Sequence, residues 1–341
     1  MRGGKSSSPK SPSLGKLMVK KTIRIVAGLL ISLVFLWLAF RKSDLSQVWG
    51  ILKTMRIDLI IVVFVISVLS LMLRSLRWKT LGKEYHNVSW KNCFEATSIG
   101  LMLNNFVPFR GGDLFQGYFL AKKSGLPKSY TMATVFLERI IDFFPPLIMI
   151  VAGSFFVVLP EQIKLSRIFL LLFILFALIY LFISQRKRFI NIIQNFMHHK
   201  HSERIDRFLD NLAKAILFIK DRQVITQSVP LTLLNWFVLT SVTTFLTLKA
   251  VGIQLNFLAV FLVLGISIMS VAIPSSPGFV GTWEFFTMLA LSIFKIDRDR
   301  ALSYAVISHF MALLPATIFG LYYFYLEMFV RKEKIDISEK A

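Results

Sequence analysis

The sequence predicts an all-α polytopic membrane protein, and its composition and its apolar runs both support this. Of the 341 residues, 55% are hydrophobic and 33 are phenylalanine, and the mean hydropathy is +0.65. Several apolar runs are long enough to cross a hydrocarbon layer, which takes about 20 helical residues. A soluble domain of this length would not contain so many unbroken runs of this kind.

The net charge of +21 is distributed in short segments that flank the apolar runs. This distribution is typical of membrane proteins that follow the positive-inside rule. No nucleic-acid-binding motif accompanies the basic residues, so we expect no nucleic-acid partner. The single cysteine, Cys93, excludes an intramolecular disulfide.

The predicted elements begin with residues 1–22, whose Ser, Pro and Lys content predicts a disordered basic tail. The next run, residues 23–40, ends without a small-residue cleavage site, so we expect a retained membrane anchor and not a signal peptide. Further spanning helices are predicted at 57–73, 130–159, 166–184, 224–250 and 300–329.

Two other apolar regions, 91–121 and 256–294, are interrupted by polar sequence rich in Pro and Gly. We interpret each as a re-entrant hairpin, which leaves the membrane on the side where it entered. The predicted protein then lies in the plasma membrane with both termini in the cytoplasm. Most of the 40 Lys and Arg residues then lie on the cytoplasmic side. Segments 185–223 and 331–341 are cytoplasmic in this topology. The first has the spacing of an amphipathic helix, either on the membrane surface or packed under the bundle.

The order of helix, broken hairpin and helix occurs twice, which predicts an inverted repeat. About 170 residues separate Pro108 from Pro277, and also Asp113 from Glu284, so corresponding positions hold the breaks. The first unit starts outside and the second starts inside. Inverted repeats with broken helices are typical of transporters with a substrate site near the middle of the membrane.

The first interruption, NNFVPFRGGD, places polar backbone at membrane depth. Such backbone must be buried in protein or line a wet cavity, so we expect a hairpin tip inside the bundle. The helix that follows presents its N-terminus there, and such ends attract anions, of which a lipid phosphate is the candidate. Alternatively, Asp113 only caps its own helix. The candidate site residues are Asn104, Asn105, Arg110, Gly111, Gly112 and Asp113.

The second interruption, IPSSPGFVGTWEF, repeats this design, with Thr282 as the expected N-cap and with the same alternative for Glu284. His309 lies in the last crossing, where it either relays protons or bonds a neighbouring helix. The candidate site residues here are Pro277, Gly278, Gly281, Thr282, Glu284 and His309.

The motif LERIID places Glu138, Arg139 and Asp142 within about 100° of one another on a helix. At mid-bilayer each would cost about 2.5–3.5 kcal/mol if it faced lipid, so all three are expected to face the interior. They form either a functional site or a structural ion network.

The residues Arg74, Arg77 and Trp78 stand at the cytoplasmic end of a predicted helix. Basic and aromatic residues at such ends commonly bind lipid headgroups at the membrane surface. We therefore expect these three to be interfacial anchors.

In order and spacing, RSLRW, NNFVPFRGGD, LERIID and PSSPGFVGTWE resemble the membrane domain of lysylphosphatidylglycerol synthases, the multiple peptide resistance factor. They equally resemble the stand-alone flippase-like proteins that share this domain. The resemblance covers residues 23–330 and implies movement of a phospholipid between leaflets. It implies no aminoacyl transfer, because the soluble synthase domain of the bifunctional relatives is not matched. The polar site that it implies is Arg110, Asp113, Glu138, Arg139 and Glu284.

The expected function is a flippase, and not an enzyme, for an anionic or zwitterionic phospholipid or a polyprenyl-phosphate-linked lipid. Its partners would be the membrane lipid substrate and a separate lipid-modifying enzyme, and we expect neither a metal nor a cofactor. The sequence has no P-loop, which argues against direct ATP hydrolysis. The alternative is a membrane glycosyltransferase or accessory subunit acting on a lipid-linked sugar. For this, the acidic motif DRD at 297–299 is either a metal site or a solvated turn.

Overall fold

The computed structural model of the protein describes residues 14–81, 88–155, 222–273 and 275–330, and regular structure in these ranges is helical. The α-helices in chain order are α1 (Leu14–Phe40), α2 (Leu45–Thr54), α3 (Ile57–Leu81), α4 (Trp90–Phe106), α5 (Gly111–Ser124), α6 (Lys128–Ser154), α7 (Arg222–Leu233), α8 (Ser241–Ala250), α9 (Phe257–Met269), α10 (Thr282–Ser292) and α11 (Arg298–Tyr325).

Short segments of tighter or wider helix connect these elements. A π-helical segment joins α7 to α8, and another follows α11; their bounds are Leu234–Thr240 and Leu326–Val330. The two interrupted regions contain 3₁₀ turns at Pro108–Arg110, Ser270–Ala272 and Pro277–Phe279.

Several of the predicted spanning helices are confirmed. Among the described residues, the helices long and apolar enough to cross a membrane are Ile57–Leu81, Thr226–Ala250 and Arg298–Phe329. They match the predictions at 57–73, 224–250 and 300–329. Helix α6 covers most of the run predicted at 130–159, of which residues 156–159 lie outside the described residues. The predicted helix at 166–184, almost all of segment 185–223 and the tail at 331–341 lie outside the described residues.

The boundary predicted for the N-terminal tail is wrong. Helix α1 begins at Leu14, so residues 14–22, which we assigned to a disordered tail, are helical. The last proline of the tail is Pro12, and the Leu, Lys and Met residues that follow it have high helix propensity. The helix of the spanning run therefore extends toward the N-terminus through residues that also favour helix.

The molecule is apolar on the outside and carries polar groups inside. Leu33, Trp37 and Ile61 are more than half exposed, whereas Gln116 and Glu138 are fully buried. Scattered exposed apolar residues are ordinary, but exposure along whole helices marks a surface that another apolar phase covers. The polar interior is therefore where function should be sought.

Helices α4 and α5 form a tightly packed hairpin around the first 3₁₀ turn. A Cβ atom on Gly112 would lie 2.0 Å from the carbonyl oxygen of Gly100, so the two helix backbones are in direct contact. Helices α9 and α10 form the second hairpin, in which the Thr287 hydroxyl donates to Ser267 Oγ at 2.9 Å. Each interrupted region thus folds back on itself.

The first helix of each hairpin also packs on a long helix from the other half of the chain. Helix α4 packs on α11, where a Cβ on Gly320 would lie 2.5 Å from the Ser98 carbonyl oxygen. Helix α9 packs on α6, where a Cβ on Gly265 would lie 2.7 Å from the Pro146 carbonyl oxygen. Small residues at such crossings let helices approach closely without a water-driven hydrophobic effect. These crossings place both hairpin tips in the interior.

Candidate functional site

The first hairpin tip is a tight turn in which Arg110 has a strained backbone. Pro108 begins the 3₁₀ turn, and Arg110 ends it with φ 54° and ψ 36°. This left-handed conformation costs a residue with a Cβ about 1–2 kcal/mol. Backbone strain of this kind is concentrated at functional sites. Helix α5 starts directly afterwards at Gly111.

The carboxylate of Asp113 binds other side chains and does not cap its helix. Its Oδ1 accepts a hydrogen bond from Asn104 Nδ2 at 2.8 Å and lies 3.1 Å from Arg139 Nη2. Helix α5 has no side-chain cap hydrogen bond at its N-terminus. The alternative that Asp113 serves only as a cap is therefore wrong.

Glu138 is the most deeply buried acid of this region, with a fully buried side chain. Its Oε1 accepts from Arg77 Nη2 at 2.9 Å and from Arg74 Nε at 3.2 Å. Its Oε2 accepts from Gln116 Nε2 at 3.3 Å. Both carboxylate oxygens are thus satisfied, as a buried charge requires.

Asp142, one helical turn further along α6, binds the same two arginines. Its Oδ1 accepts from Arg77 Nη1 at 2.6 Å, and its Oδ2 accepts from Arg74 Nη2 at 2.8 Å. Trp236, in the π-helical segment after α7, donates from Nε1 to Asp142 Oδ1 at 3.2 Å. The two carboxylates and two guanidiniums form a closed, charge-assisted network.

Arg110 is the least committed of the arginines in this region. Its side chain is 37% exposed, and its ionic contact is a loose one of 3.4 Å to Asp113. Its Nε atom is buried and has no hydrogen-bond partner among the described residues. Arg139, by contrast, donates to Gln116 Oε1 at 3.1 Å and pairs with Asp113. Arg110 therefore retains donors for a ligand.

We call this group the arginine–carboxylate cluster. Within the described chain it contains four guanidiniums and three carboxylates, so it carries one excess positive charge. An excess charge in a buried site favours an anionic ligand, because burial without a counter-charge is costly. Its members are Arg74, Arg77, Arg110, Asp113, Glu138, Arg139 and Asp142.

The prediction that Arg74, Arg77 and Trp78 are interfacial anchors is wrong. Arg77 and Trp78 are buried, at 2% and 1% exposure, and Trp78 Nε1 donates to Thr134 Oγ1 at 3.2 Å. Arg74 is partly buried and belongs to the same cluster. Because α3 continues to Leu81 alongside α6, this end of the helix is packed inside the bundle.

The second hairpin tip is built around a carboxylate–imidazole pair. Glu284 Oε2 accepts from the backbone N–H of Gly281 at 2.6 Å, so this carboxylate does cap its helix. Its Oε1 lies 2.6 Å from Nδ1 of His309, whose Nε2 lies 2.7 Å from the Gly278 carbonyl oxygen. A carbonyl oxygen can only accept, so Nε2 donates to Gly278, and Nδ1 makes the contact with the Glu284 carboxylate. The pair thereby ties the tip to α11.

The cap of α10 differs from the prediction. The helix begins at Thr282 and Gly281 holds the N-cap position, with φ 88°. The buried hydroxyl of Thr282 donates instead to the Phe279 carbonyl oxygen at 2.9 Å. Pro277 begins the preceding 3₁₀ turn, and Gly278 within it has φ 67°. A conformation of this kind favours glycine.

The two tips lie against each other. A Cβ on Gly278 would be 3.3 Å from the Asn105 carbonyl oxygen. The Asn105 amide donates to Thr317 Oγ1 on α11 at 2.8 Å. The structure thus brings Asn104 and the first-tip charges together with the α6 charges, and it holds Glu284 and His309 as a separate pair behind the second tip.

Two members of the network were missed by sequence reasoning. Gln116 bridges Glu138 and Arg139, and it was detectable as a polar residue one turn after Asp113 within an apolar run. Trp236 binds Asp142 from a distant part of the chain, and no local signal marks it.

A cavity of about 210 Å³ adjoins the cluster at Arg74. Four serines and four threonines line it, together with the rings of Trp236 and Trp283. Among the described residues of its lining, Arg74 is the one that carries a charge. The cavity is therefore a polar but nearly uncharged space beside a charged site.

The acidic DRD motif uses its carboxylates in local backbone bonds. Asp297 caps α11, accepting from the N–H groups of Asp299 and Arg300 at 3.1 and 3.2 Å. Asp299 Oδ1 accepts from the Asp44 N–H at 2.9 Å. The described part of the chain contains no group of three or more His, Cys, Asp or Glu side chains arranged to hold a metal ion.

Comparison with known proteins identifies the family. The family described as the lysylphosphatidylglycerol synthase TM region matches residues 25–320. A UPF0104 membrane protein of Methanocaldococcus jannaschii is 25% identical over 340 residues, which cover 94% of this chain and 98% of that protein. A second from the same organism is 25% identical over 230 residues, which cover 66% of this chain and 94% of that protein.

A UPF0104 membrane protein of Methanothermobacter thermautotrophicus is 19% identical over 282 residues, which cover 76% of this chain and 83% of that protein. No solved structure matches this chain. The chain is therefore a multi-pass membrane protein that belongs to the lysylphosphatidylglycerol synthase TM-region family, as its motifs indicated.

Proposed function

We propose that this protein moves a lipid with an anionic or zwitterionic phosphate headgroup between the leaflets of the plasma membrane. The observation that carries the proposal is the unmatched positive charge of the arginine–carboxylate cluster. A lipid phosphate supplies the missing negative charge, while its hydrocarbon chains stay in the surrounding bilayer. Bidentate pairing with guanidinium groups suits phosphate geometry.

Two arginines are the proposed phosphate ligands. Arg110 is 37% exposed and loosely paired, and Arg74 is 20% exposed and borders the cavity. Arg77 is buried, and both of its terminal nitrogens are engaged with Glu138 and Asp142, so it fixes the geometry of the cluster. The different roles of these arginines support a site in which the buried ion network holds the ligand-binding guanidinium groups of Arg110 and Arg74 in place.

We propose that the protein has an inverted repeat with two re-entrant hairpins and with both termini in the cytoplasm. The support for this architecture is the reciprocal packing of equivalent helices in the two halves. Helix α4 packs on α11 and its counterpart α9 packs on α6; likewise α5 packs on α6, and α10 packs on α11. In such repeats, substrate sites lie where broken helices meet. Here the two tips meet beside the cluster.

We expect Arg110→Gln to slow lipid movement while the protein stays folded. Removing one charged hydrogen bond of about 1.5–3 kcal/mol should reduce the rate about tenfold to a hundredfold. The measurement is the rate at which an acyl-labelled fluorescent phosphatidylglycerol becomes accessible to a membrane-impermeant quencher in proteoliposomes.

The matched control for this experiment is Arg56→Gln. Arg56 is a surface arginine with a 64% exposed side chain that pairs with Asp58. Its substitution should leave the rate unchanged, since exposed ion pairs contribute little. Equal rates for the wild type and Arg110→Gln, at equal amounts of folded protein, would refute the proposed role of Arg110.

The competing function is an enzyme acting on a lipid-linked sugar, with DRD as its metal site. We expect the double substitution Asp297→Asn and Asp299→Asn to leave lipid movement and lipid composition unchanged. The asparagine side-chain oxygens can still accept the backbone N–H bonds, and Asn is a good N-cap. Mass spectrometry of the lipids of cells carrying the variant checks this. Loss of a glycosylated lipid would support the enzyme, because the change removes charged ligands that a hard cation requires.

A further inference from the structure

The cavity beside Arg74 has a wall of hydrogen-bond acceptors. Thr240, Thr243 and Thr247 each donate their hydroxyl proton to a helix carbonyl oxygen, at 2.7–2.8 Å. A carbonyl oxygen cannot donate, so the hydroxyl must be the donor in each of these bonds. What remains for a ligand is the lone pairs of the hydroxyl oxygens. The wall therefore suits a ligand that donates hydrogen bonds.

The charges around the cavity discriminate among such ligands. Donor-rich headgroups are either ammonium groups or polyols. An ammonium group in a buried site needs a carboxylate partner, and the described lining contains none. The nearest acid in the network, Asp142, is already bonded to Arg74, Arg77 and Trp236. Arg74 adds a positive charge at the edge. A neutral, hydroxylated group is thus the better fit.

The size and the aromatic surfaces of the cavity agree with this ligand. Its volume of about 210 Å³ leaves room for several water-sized groups, and so for a small headgroup. The rings of Trp236 and Trp283 offer apolar faces, and their N–H groups are already bonded to Asp142 and Ser308. The C–H face of a polyol ring can pack on such a ring while its hydroxyls meet the wall.

We infer that the headgroup is a neutral polyol or sugar joined to a phosphodiester, with the phosphate at Arg74 and the polyol in the cavity. This inference rests on the proposed function and names its substrate class. Arg74 can reach the phosphate because its Nη1 atom has no hydrogen bond to any described residue, while Nε and Nη2 are bonded to Glu138 and Asp142. One guanidinium thus joins the charged cluster to the hydroxyl-lined cavity.

The test compares acyl-labelled lipids that share a phosphate and differ in headgroup. Wild-type proteoliposomes should move phosphatidylinositol faster than phosphatidylethanolamine. Thr243→Val should reduce this ratio about threefold to tenfold, the effect of one net hydrogen bond. Thr243→Ser keeps the acceptor and should preserve the ratio. The control is Thr131→Val, a buried threonine outside the cavity whose hydroxyl donates to the Lys128 carbonyl oxygen at 3.1 Å.

The outcomes separate this inference from the proposed function. If no lipid moves in wild-type proteoliposomes, the proposed function fails. If both lipids move at equal rates, or if Thr243→Val leaves the ratio unchanged, the protein still moves lipid but the polyol inference is overturned. A preference for phosphatidylethanolamine would overturn it as well, since that result assigns the cavity to an ammonium group.

Discussion

Replacing Glu138 with alanine is expected to destabilise the protein by about 3–5 kcal/mol, the typical effect of removing one partner from a buried ion pair. Glu138 has no solvent exposure and accepts hydrogen bonds from Arg74, Arg77 and Gln116. Its removal leaves Arg77, which is 2% exposed, with Asp142 as its remaining ionic partner. The measurement is thermal unfolding in detergent, together with the fraction of monodisperse protein after extraction.

The matched control for Glu138 is Asp58→Ala. Asp58 also pairs with an arginine, Arg56, but both side chains are more than half exposed. Its loss should change stability by less than about 1 kcal/mol, because exposed ion pairs contribute little. If Glu138→Ala unfolds at the same temperature as Asp58→Ala, the cluster does not support the fold in the way its geometry indicates.

Replacing Gly112 with alanine is the second substitution expected to have a large effect. Its Cβ would lie 2.0 Å from the Gly100 carbonyl oxygen and 2.6 Å from the Asn104 backbone nitrogen. Both are backbone atoms, so α4 and α5 would have to separate, and overpacking of this kind costs about 1–3 kcal/mol or more. The separation would also break the Asn104–Asp113 hydrogen bond. We therefore expect less folded protein in the same unfolding assay. The folded fraction of the variant should also fail to move lipid.

Gly50→Ala provides the comparison for Gly112. Gly50 lies within α2, and a Cβ placed on it meets no atom within 4 Å. Alanine should be neutral or stabilising there, by up to about 1 kcal/mol from helix propensity. Equal behaviour of the two variants would contradict the close approach of α4 and α5.

Much of the architecture was accessible to sequence reasoning because membrane helices and their breaks have strong local signals. The runs at 57–73, 224–250 and 300–329 are long and have a high mean hydropathy, and the breaks contain Pro and Gly. The end of α1 that faces the tail was not predicted, since helix formation there depends on propensity and not on hydrophobicity.

The side-chain partners were less accessible, because they depend on which helix faces touch. A basic residue near the end of an apolar helix usually lies at a headgroup, so Arg77 was assigned to the surface. Arg77 is buried because α3 contacts α6. Its partners there, Glu138 and Asp142, follow it in the chain by 61 and 65 residues, so no local pattern indicates the contact. For the same reason, the sequence does not distinguish the roles of Asp113 and Glu284, since each is an acid in the first turn of a helix. One of them binds an arginine and the other caps its helix.

The most direct test of the arginine–carboxylate cluster as a phosphate site is native mass spectrometry of the purified protein with added lipids. We expect the wild type to retain phosphatidylglycerol and to release diacylglycerol, which has the same chains but no phosphate. Arg110→Gln should lose this selectivity while keeping its unfolding temperature. Equal retention of the two lipids by the wild type, or unchanged selectivity in Arg110→Gln, would contradict a phosphate site at this cluster.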